Sequence, residues 1–114
     1  MDISIIIPAY NEENNIIPLC EEVILSLDRI EASYEIVLVD DGSNDSTFNA
    51  MSTVRKKYNN IKIVKFNKNY KKSAAYMAGI KNSCGNIIVT LDADLQDDPS
   101  EIQKMVDLIG EYDL

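Results

Sequence analysis

The sequence predicts an α/β domain: a doubly wound, mostly parallel sheet with helices on both faces. Three observations carry this. Four short, mostly β-branched apolar runs (residues 3–7, 35–39, 61–66 and 87–91) alternate with four helical patterns. The links between them are short, which suits β-α units and the right-handed crossovers of a parallel sheet. A chain of 114 residues, 46% hydrophobic and 26% charged, has the size and composition of one small globular domain.

The elements follow in order. Residues 3–7 form a first strand, ended by Pro8. Asn11-Glu12-Glu13 opens a helix, with carboxylates favourable at its start, and Leu19, Val23, Leu27 and Ile30 recur at helical spacing. Pro18 must then lie near the start of that helix or bend it. Residues 35–39 are the second strand. Gly42 and Ser43 turn sharply after it, and Asn44 or Asp45 caps a helix marked by Phe48, Met51, Val54 and Tyr58. Residues 61–66 are the third strand. Residues 72–83, with Ala74, Ala75 and Ala78, form a third helix stopped by Gly85. Residues 87–91 are the fourth strand. Asp98-Pro99-Ser100-Glu101 resembles a capping box with proline at the first helical position. Ile102, Met105, Val106 and Ile109 line that last helix, which Gly110 ends. Tyr112 reads as the start of a fifth strand that is cut, so the chain is expected to be a truncated piece of a longer protein.

Chemistry concentrates at the strand ends. Asp92-Ala93-Asp94-Leu95-Gln96 follows the fourth strand directly, and Asp40-Asp41-Gly42-Ser43 follows the second. In open α/β sheets, ligands bind at the carboxyl ends of strands. Asp-x-Asp with a nearby amide oxygen suits Mg²⁺ or Mn²⁺, hard cations that bridge protein carboxylates to a substrate diphosphate. The plainer reading of 94–98 is a solvated acidic turn that caps the next helix. Two acidic strand ends would bring up to four carboxylates to one sheet edge. Such like charges repel without a cation or hydrogen-bonding ligand, although either Asp40 or Asp41 could serve only the turn.

Composition excludes several functions. A net charge of −8 argues against nucleic acid as the partner. The charge is uneven, however. Arg55, Lys56, Lys57, Lys62, Lys65, Lys68, Lys71 and Lys72 are eight of the eleven basic residues, and no acid interrupts them. This reads either as a solvated helix end and loop or as an anion-facing patch for diphosphate or a membrane surface. The absence of histidine removes Ser-His, Cys-His and His-metal chemistry from this segment. Cys20 and Cys84 lack metal-ligand spacing and read as reduced structural thiols of a cytosolic protein. No signal peptide is visible, and no apolar run approaches the ~20 residues of a membrane helix.

The order of motifs points to a family. Ile5-Ile6-Ile7-Pro8-Ala9-Tyr10-Asn11-Glu12-Glu13, then Val39-Asp40-Asp41-Gly42-Ser43, then Asp92-Ala93-Asp94-Leu95-Gln96 resembles the GT-A glycosyltransferases of family 2. The branch acting on polyprenyl phosphates, typified by dolichol-phosphate mannosyltransferase, is the most similar. Asp97-Asp98-Pro99 matches its continuation. Lys68-Asn69-Tyr70-Lys71-Lys72-Ser73-Ala74-Ala75 resembles its Arg-Asn-aromatic-Gly-Lys-x-Ala-Ala segment. Lys71 stands where the family has glycine. Lys68 stands where it has arginine, which loses a bidentate fork.

The resemblance implies a GT-A nucleotide-diphospho-sugar transferase fold, with residues 1–114 as its incomplete N-terminal, nucleotide-sugar-binding part. It implies inverting transfer of a sugar from a nucleoside diphosphate to a polyprenyl phosphate or glycan, with Mg²⁺ or Mn²⁺. Pro8, Tyr10 and Glu12 would border the nucleotide, Glu12 near the ribose. Asp40 or Asp41 would accept a hydrogen bond from the base. Lys72 would lie near the diphosphate. Asp92 would hold nucleotide and metal, with Asp94 and Gln96 as further metal ligands. The family carries its catalytic base and acceptor residues later in the chain, so no catalytic residue is expected here and the segment alone is expected to be inactive. The implied location is the cytoplasm or the cytoplasmic face of a membrane, with membrane contact through segments outside this chain. The open sheet edge is expected to favour self-association.

A catalytically dead sugar-nucleotide-binding module is the non-enzyme alternative. A receiver domain needs acids after the first strand, where Pro8-Ala9-Tyr10 stands. A haloacid-dehalogenase-type phosphatase places its Asp-x-Asp after the first strand, not the fourth. A dinucleotide oxidoreductase needs a glycine-rich first turn, and the four glycines here are scattered.

Overall fold

The computed structural model describes residues 1–94 and 99–112. Strands β1 (Ile3–Ala9), β2 (Tyr34–Asp40), β3 (Ile61–Lys65) and β4 (Ile87–Thr90) alternate with helices α1 (Ile16–Leu27), α2 (Thr47–Lys57), α3 (Lys72–Lys81) and α4 (Pro99–Gly110). All pairings are parallel, in the order β3-β2-β1-β4. The expected doubly wound α/β class holds.

Handedness fixes the layers. The chain steps from β1 to β2 to β3 in one direction, so right-handed crossovers put α1 and α2 on one face. From β3 it returns across β2 and β1 to reach β4, which puts α3 on the other face. There α3 packs on β1 and β2, whereas α4 packs on α1. The larger core lies on the α1 side and joins Ile3, Ile5, Ile7, Leu19, Val23, Ile36, Leu38 and Met51. The smaller core joins Ile6, Val37, Val39 and Ala75 under α3. Gly79 permits that approach, because a Cβ there would lie 2.4 Å from Cγ2 of Ile6. β1 is central, and every one of its residues is buried.

Several boundaries differ from expectation. β1 continues through Pro8 to Ala9. Ile6 accepts from Leu91 while Ala9 accepts from Asp41, so Pro8 shares the β4-facing side of Ile6. β4 has ended by that level, and the missing N–H breaks no ladder bond. α1 starts at Ile16, not at Asn11, because residues 11–13 bond instead to the neighbouring 43–47 loop. Pro18 is then the third helical residue, where a missing N–H is tolerated. Tyr112 donates its N–H to Ile109 in a bend after α4 and starts no strand. The remainder of that expectation, at 113–114, lies outside the described residues. Among the described residues, no helix is long and apolar enough to cross a membrane.

Candidate functional site

β1 and β4 are neighbours in the sheet but not in the chain, which runs out to β3 and crosses back through α3 to reach β4. Here the strand order reverses, and a crevice opens beyond the carboxyl ends of the strands. Two connected depressions occupy it and share Pro8, Ala9, Tyr10 and Lys72. One, of about 270 Å³, extends to Asp41 and Asn69. The other, of about 150 Å³, extends to Glu12, Asp92 and Asp94. Together they form one groove over the end of β1, with the two acidic motifs at opposite ends.

That placement corrects the expectation of four gathered carboxylates. β1 separates β2 from β4, and two inter-strand steps are about 10 Å. Among the described residues, no three potential metal ligands come together.

The Asp41 end of the groove is heavily hydrogen-bonded. Asp40 is buried, and its Oδ1 accepts from the Ser43 N–H at 3.0 Å, closing the turn after β2. Asp41 is buried too. Its Oδ1 accepts from the Tyr70 N–H at 2.8 Å and its Oδ2 from the Asn69 amide at 3.0 Å. Asp41 therefore pins the 67–71 loop beside the groove. Gly42 makes this possible. At φ 71° it turns left-handed, and a Cβ there would lie 2.1 Å from the carbonyl carbon of Lys68. The loop after β1 is tied in likewise. Asn11, at φ 54°, donates its N–H to Ser43 Oγ and accepts from the Asn44 N–H. Glu12 gives its N–H to the buried Thr47 hydroxyl, while its carboxylate accepts from Asn15. Tyr10 is exposed and receives a long bond from the Asn44 amide at 3.4 Å.

The other end is built from α3 and the end of β4. Lys71, just before α3, takes φ 79° and ψ 166°, a region used almost solely by glycine. The lysine thus holds a conformation that suits glycine, the residue the family resemblance leads one to expect there. Lys72 then donates to Asp92 Oδ1 at 2.9 Å, and the Tyr76 hydroxyl donates to the same oxygen at 2.8 Å. The Lys72 ammonium chiefly, with Tyr76 assisting against burial, holds the Asp92 carboxyl below the usual carboxylate range. The Asp92 bond also raises the Lys72 pKa. Burial, and then the bond to Asp92, raise that of Tyr76. Asp92 Oδ2 accepts no hydrogen bond among the described residues, and the exposed Asp94 borders the same depression. Two hard oxygen donors beside a cavity fit Mg²⁺ or Mn²⁺, which bind through one or two carboxylates plus substrate phosphates rather than an all-protein cage. Gln96, the third expected ligand, lies outside the described residues.

The groove thus unites Pro8, Tyr10, Glu12, Asp41, Lys72, Asp92 and Asp94, and leaves Asp40 beneath the turn. Sequence reasoning missed Tyr76, although its position four residues after Lys72 puts both on one helix face. It also missed the Asn69 bond to Asp41, for which spacing gives no signal.

Fold and groove define a doubly wound nucleotide-type α/β domain. The chain belongs to the glycosyl transferase family 2, whose model matches residues 4–114. It is 39% identical over 105 residues to an undecaprenyl-phosphate 4-deoxy-4-formamido-L-arabinose transferase of Proteus mirabilis, covering 91% of this chain and 32% of that protein. It is 38% identical over 107 residues to a dodecaprenyl-phosphate galacturonate synthase of Rhizobium johnstonii, covering 93% and 32%. The chain thus spans about a third of the length of the curated relatives it matches. Among solved structures, TarS residues 1–349 of S. aureus with UDP-GlcNAc aligns with a TM-score of 0.67 at 27% identity, over 91% of this chain and 32% of that one. The mannosyltransferase PcManGT of Pyrobaculum calidifontis, with GDP-Man and Mn²⁺, aligns with a TM-score of 0.70 at 26% identity, over 81% and 27%. The GT-A fold expected from the motifs therefore stands.

Proposed function

We propose that the chain is the donor-binding part of an enzyme that transfers a sugar, with inversion, from a nucleoside diphosphate to a polyprenyl phosphate. One observation carries this: a continuous groove at the strand-order reversal joins an acceptor-rich end at Asp41 to a cationic and acidic end at Lys72, Asp92 and Asp94. The nucleoside lies against Pro8 and Tyr10, with the base toward Asp41 and the ribose toward Glu12. Asp40 supports the turn that presents Asp41. The relatives named for polyprenyl-phosphate substrates support the acceptor class, and the neighbours holding UDP-GlcNAc, GDP-Man and Mn²⁺ support the donor class.

Asp92 Oδ2 and Asp94, with Gln96 as the further ligand that the motif implies, would hold Mg²⁺ or Mn²⁺. A cation bound there neutralises charge on the departing diphosphate. Lys72 turns from Asp92 toward the diphosphate and adds a mobile positive charge. A polyprenyl phosphate is already largely ionised at pH 7, so its attack requires little help from a base. Such a lipid acceptor implies work at a membrane surface, and a nucleotide-sugar donor implies its cytoplasmic face.

Titration of UDP and GDP in Mn²⁺ and in EDTA tests the donor reading. Affinity should rise with Mn²⁺, and Asp94→Asn should remove most of that rise without unfolding the chain. Equal affinity in both media would reject it.

A further inference from the structure

We propose that Tyr76 is a positioning residue that fixes the Asp92 carboxylate so that one oxygen, Oδ2, faces the cation-bound diphosphate. The inference rests on the donor-binding reading above and adds a residue to its machinery.

Tyr76 stands one helical turn after Lys72 on α3, so both side chains reach the end of β4. Both donate to Asp92 Oδ1, at 2.8 and 2.9 Å. Their anchoring differs. Lys72 is 62% exposed and hangs on a flexible stem. Tyr76 is half-buried, with its ring packed on the core of Ile6, Val37, Val39 and Ala75. Its hydroxyl reaches Asp92, which lines the groove, as the polar tip of a ring held by the core.

The difference matters when the diphosphate arrives. A phosphate draws Lys72 away, and the ion pair alone would then leave Asp92 free to rotate. The phenol is neutral and held by its ring, so it stays on Oδ1. Oδ2 keeps its direction at the moment a cation needs it. Partners that orient a metal ligand in this way commonly set affinity by one to two orders of magnitude.

Tyr76→Phe keeps the ring and removes the hydroxyl. The full chain carrying it should melt within about 2 °C of the wild type. In titrations with UDP or GDP, the half-saturating Mn²⁺ concentration should rise about tenfold. Affinity in EDTA should not change, a contrast that a general loss of structure would not give. In an Asp92→Asn background, the same substitution should add nothing. Unchanged Mn²⁺ half-saturation, or equal loss in Mn²⁺ and EDTA, would overturn the role of Tyr76 while leaving the donor reading intact. A wild type with no Mn²⁺-dependent nucleotide binding would overturn both.

Discussion

Two lysine–carboxylate pairs sit at opposite ends of the same sheet. At the amino ends of the strands, Lys62 meets Glu35 at 2.8 Å; at the carboxyl ends, Lys72 meets Asp92 at 2.9 Å. The distances match, but the environments do not. Glu35 is 3% exposed and Asp92 is 39% exposed. Glu35 has both oxygens engaged: Oε1 by Lys62, and Oε2 by the Ser4 hydroxyl at 2.7 Å and the Cys84 N–H at 2.6 Å. Lys62 also donates to the Asn82 carbonyl at 3.0 Å. One carboxylate thereby joins β1, β2, β3 and the approach to β4. Asp92 has one oxygen engaged twice, accepts nothing on the other among the described residues, and lines the groove. The saturated pair fastens strands, and the unsaturated pair has capacity left for a ligand. Open hydrogen-bonding valence separates the two roles, whereas charge and distance do not.

The largest test of this contrast is Glu35→Ala. It strips the Ser4 hydroxyl, the Cys84 N–H and the Lys62 ammonium of their acceptor. At about 1 kcal/mol for each lost bond, unfolding in urea should show a loss of about 3 kcal/mol. Metal-dependent nucleotide binding by the folded fraction should persist. The acid limb sharpens the test. Burial opposes ionisation of Glu35, but Lys62, Ser4 and the Cys84 N–H outweigh it and lower its pKa below 4.5. Its contribution is therefore complete above the unfolded value and disappears as pH falls through the folded one. Glu35→Gln should flatten stability against pH in that window, and an unchanged acid limb would contradict the clamp.

Asp92→Asn should give the opposite profile. An exposed pair contributes at most about 1 kcal/mol, so the urea midpoint should barely move. Mn²⁺-dependent nucleotide affinity should fall by about tenfold or more, as read by titration calorimetry.

Lys71→Gly should stabilise. A side chain in glycine's region costs about 1–3 kcal/mol, and the extra freedom of unfolded glycine returns about 0.5–1 kcal/mol. A net gain of about 1 kcal/mol in urea is expected. The smallest effect is that of salt. Raising ionic strength from about 0.1 to 1 M shortens screening from about 10 to 3 Å. It should weaken the exposed Lys72–Asp92 pair by a few tenths of a kcal/mol and the Lys62–Glu35 pair, whose carboxylate is buried, by less. Thermal shifts of Lys72→Ala and Lys62→Ala at both salt levels would compare the two directly.

The four strands were readable because continuous apolar runs such as Ile5-Ile6-Ile7 and Ile36-Val37-Leu38-Val39 bury on both sheet faces. The start of α1 was not. Asn11 and Glu12 carry the signature of a helix start, but they bond to Ser43 and Thr47, more than thirty residues away. Asp92 and Asp94 were legible from their place after a strand. The bonds of Asn69 and Tyr70 to Asp41 were not, since they need the close approach over Gly42. Tyr76 packs its ring against the smaller core, and only the tertiary structure brings its hydroxyl to Asp92. Glu35 and Lys62 left a fainter trace, as charges within apolar runs of adjacent strands.

The two thiols give this chain a built-in label position. Cys20 is fully buried in α1, and burial pushes its pKa up to about 12, so in the folded state it resists alkylation. Cys84 is exposed, with its sulfur 3.3 Å from the Lys62 ammonium. A maleimide dye should therefore attach once per folded molecule, beside the Glu35 clamp and at the far end of the sheet from the groove. Its emission would report loosening of the strands' amino ends, while the dye itself stays clear of the donor. Appearance of a second label would time the opening of the core around Cys20, turning ordinary thiol chemistry into a clock for unfolding.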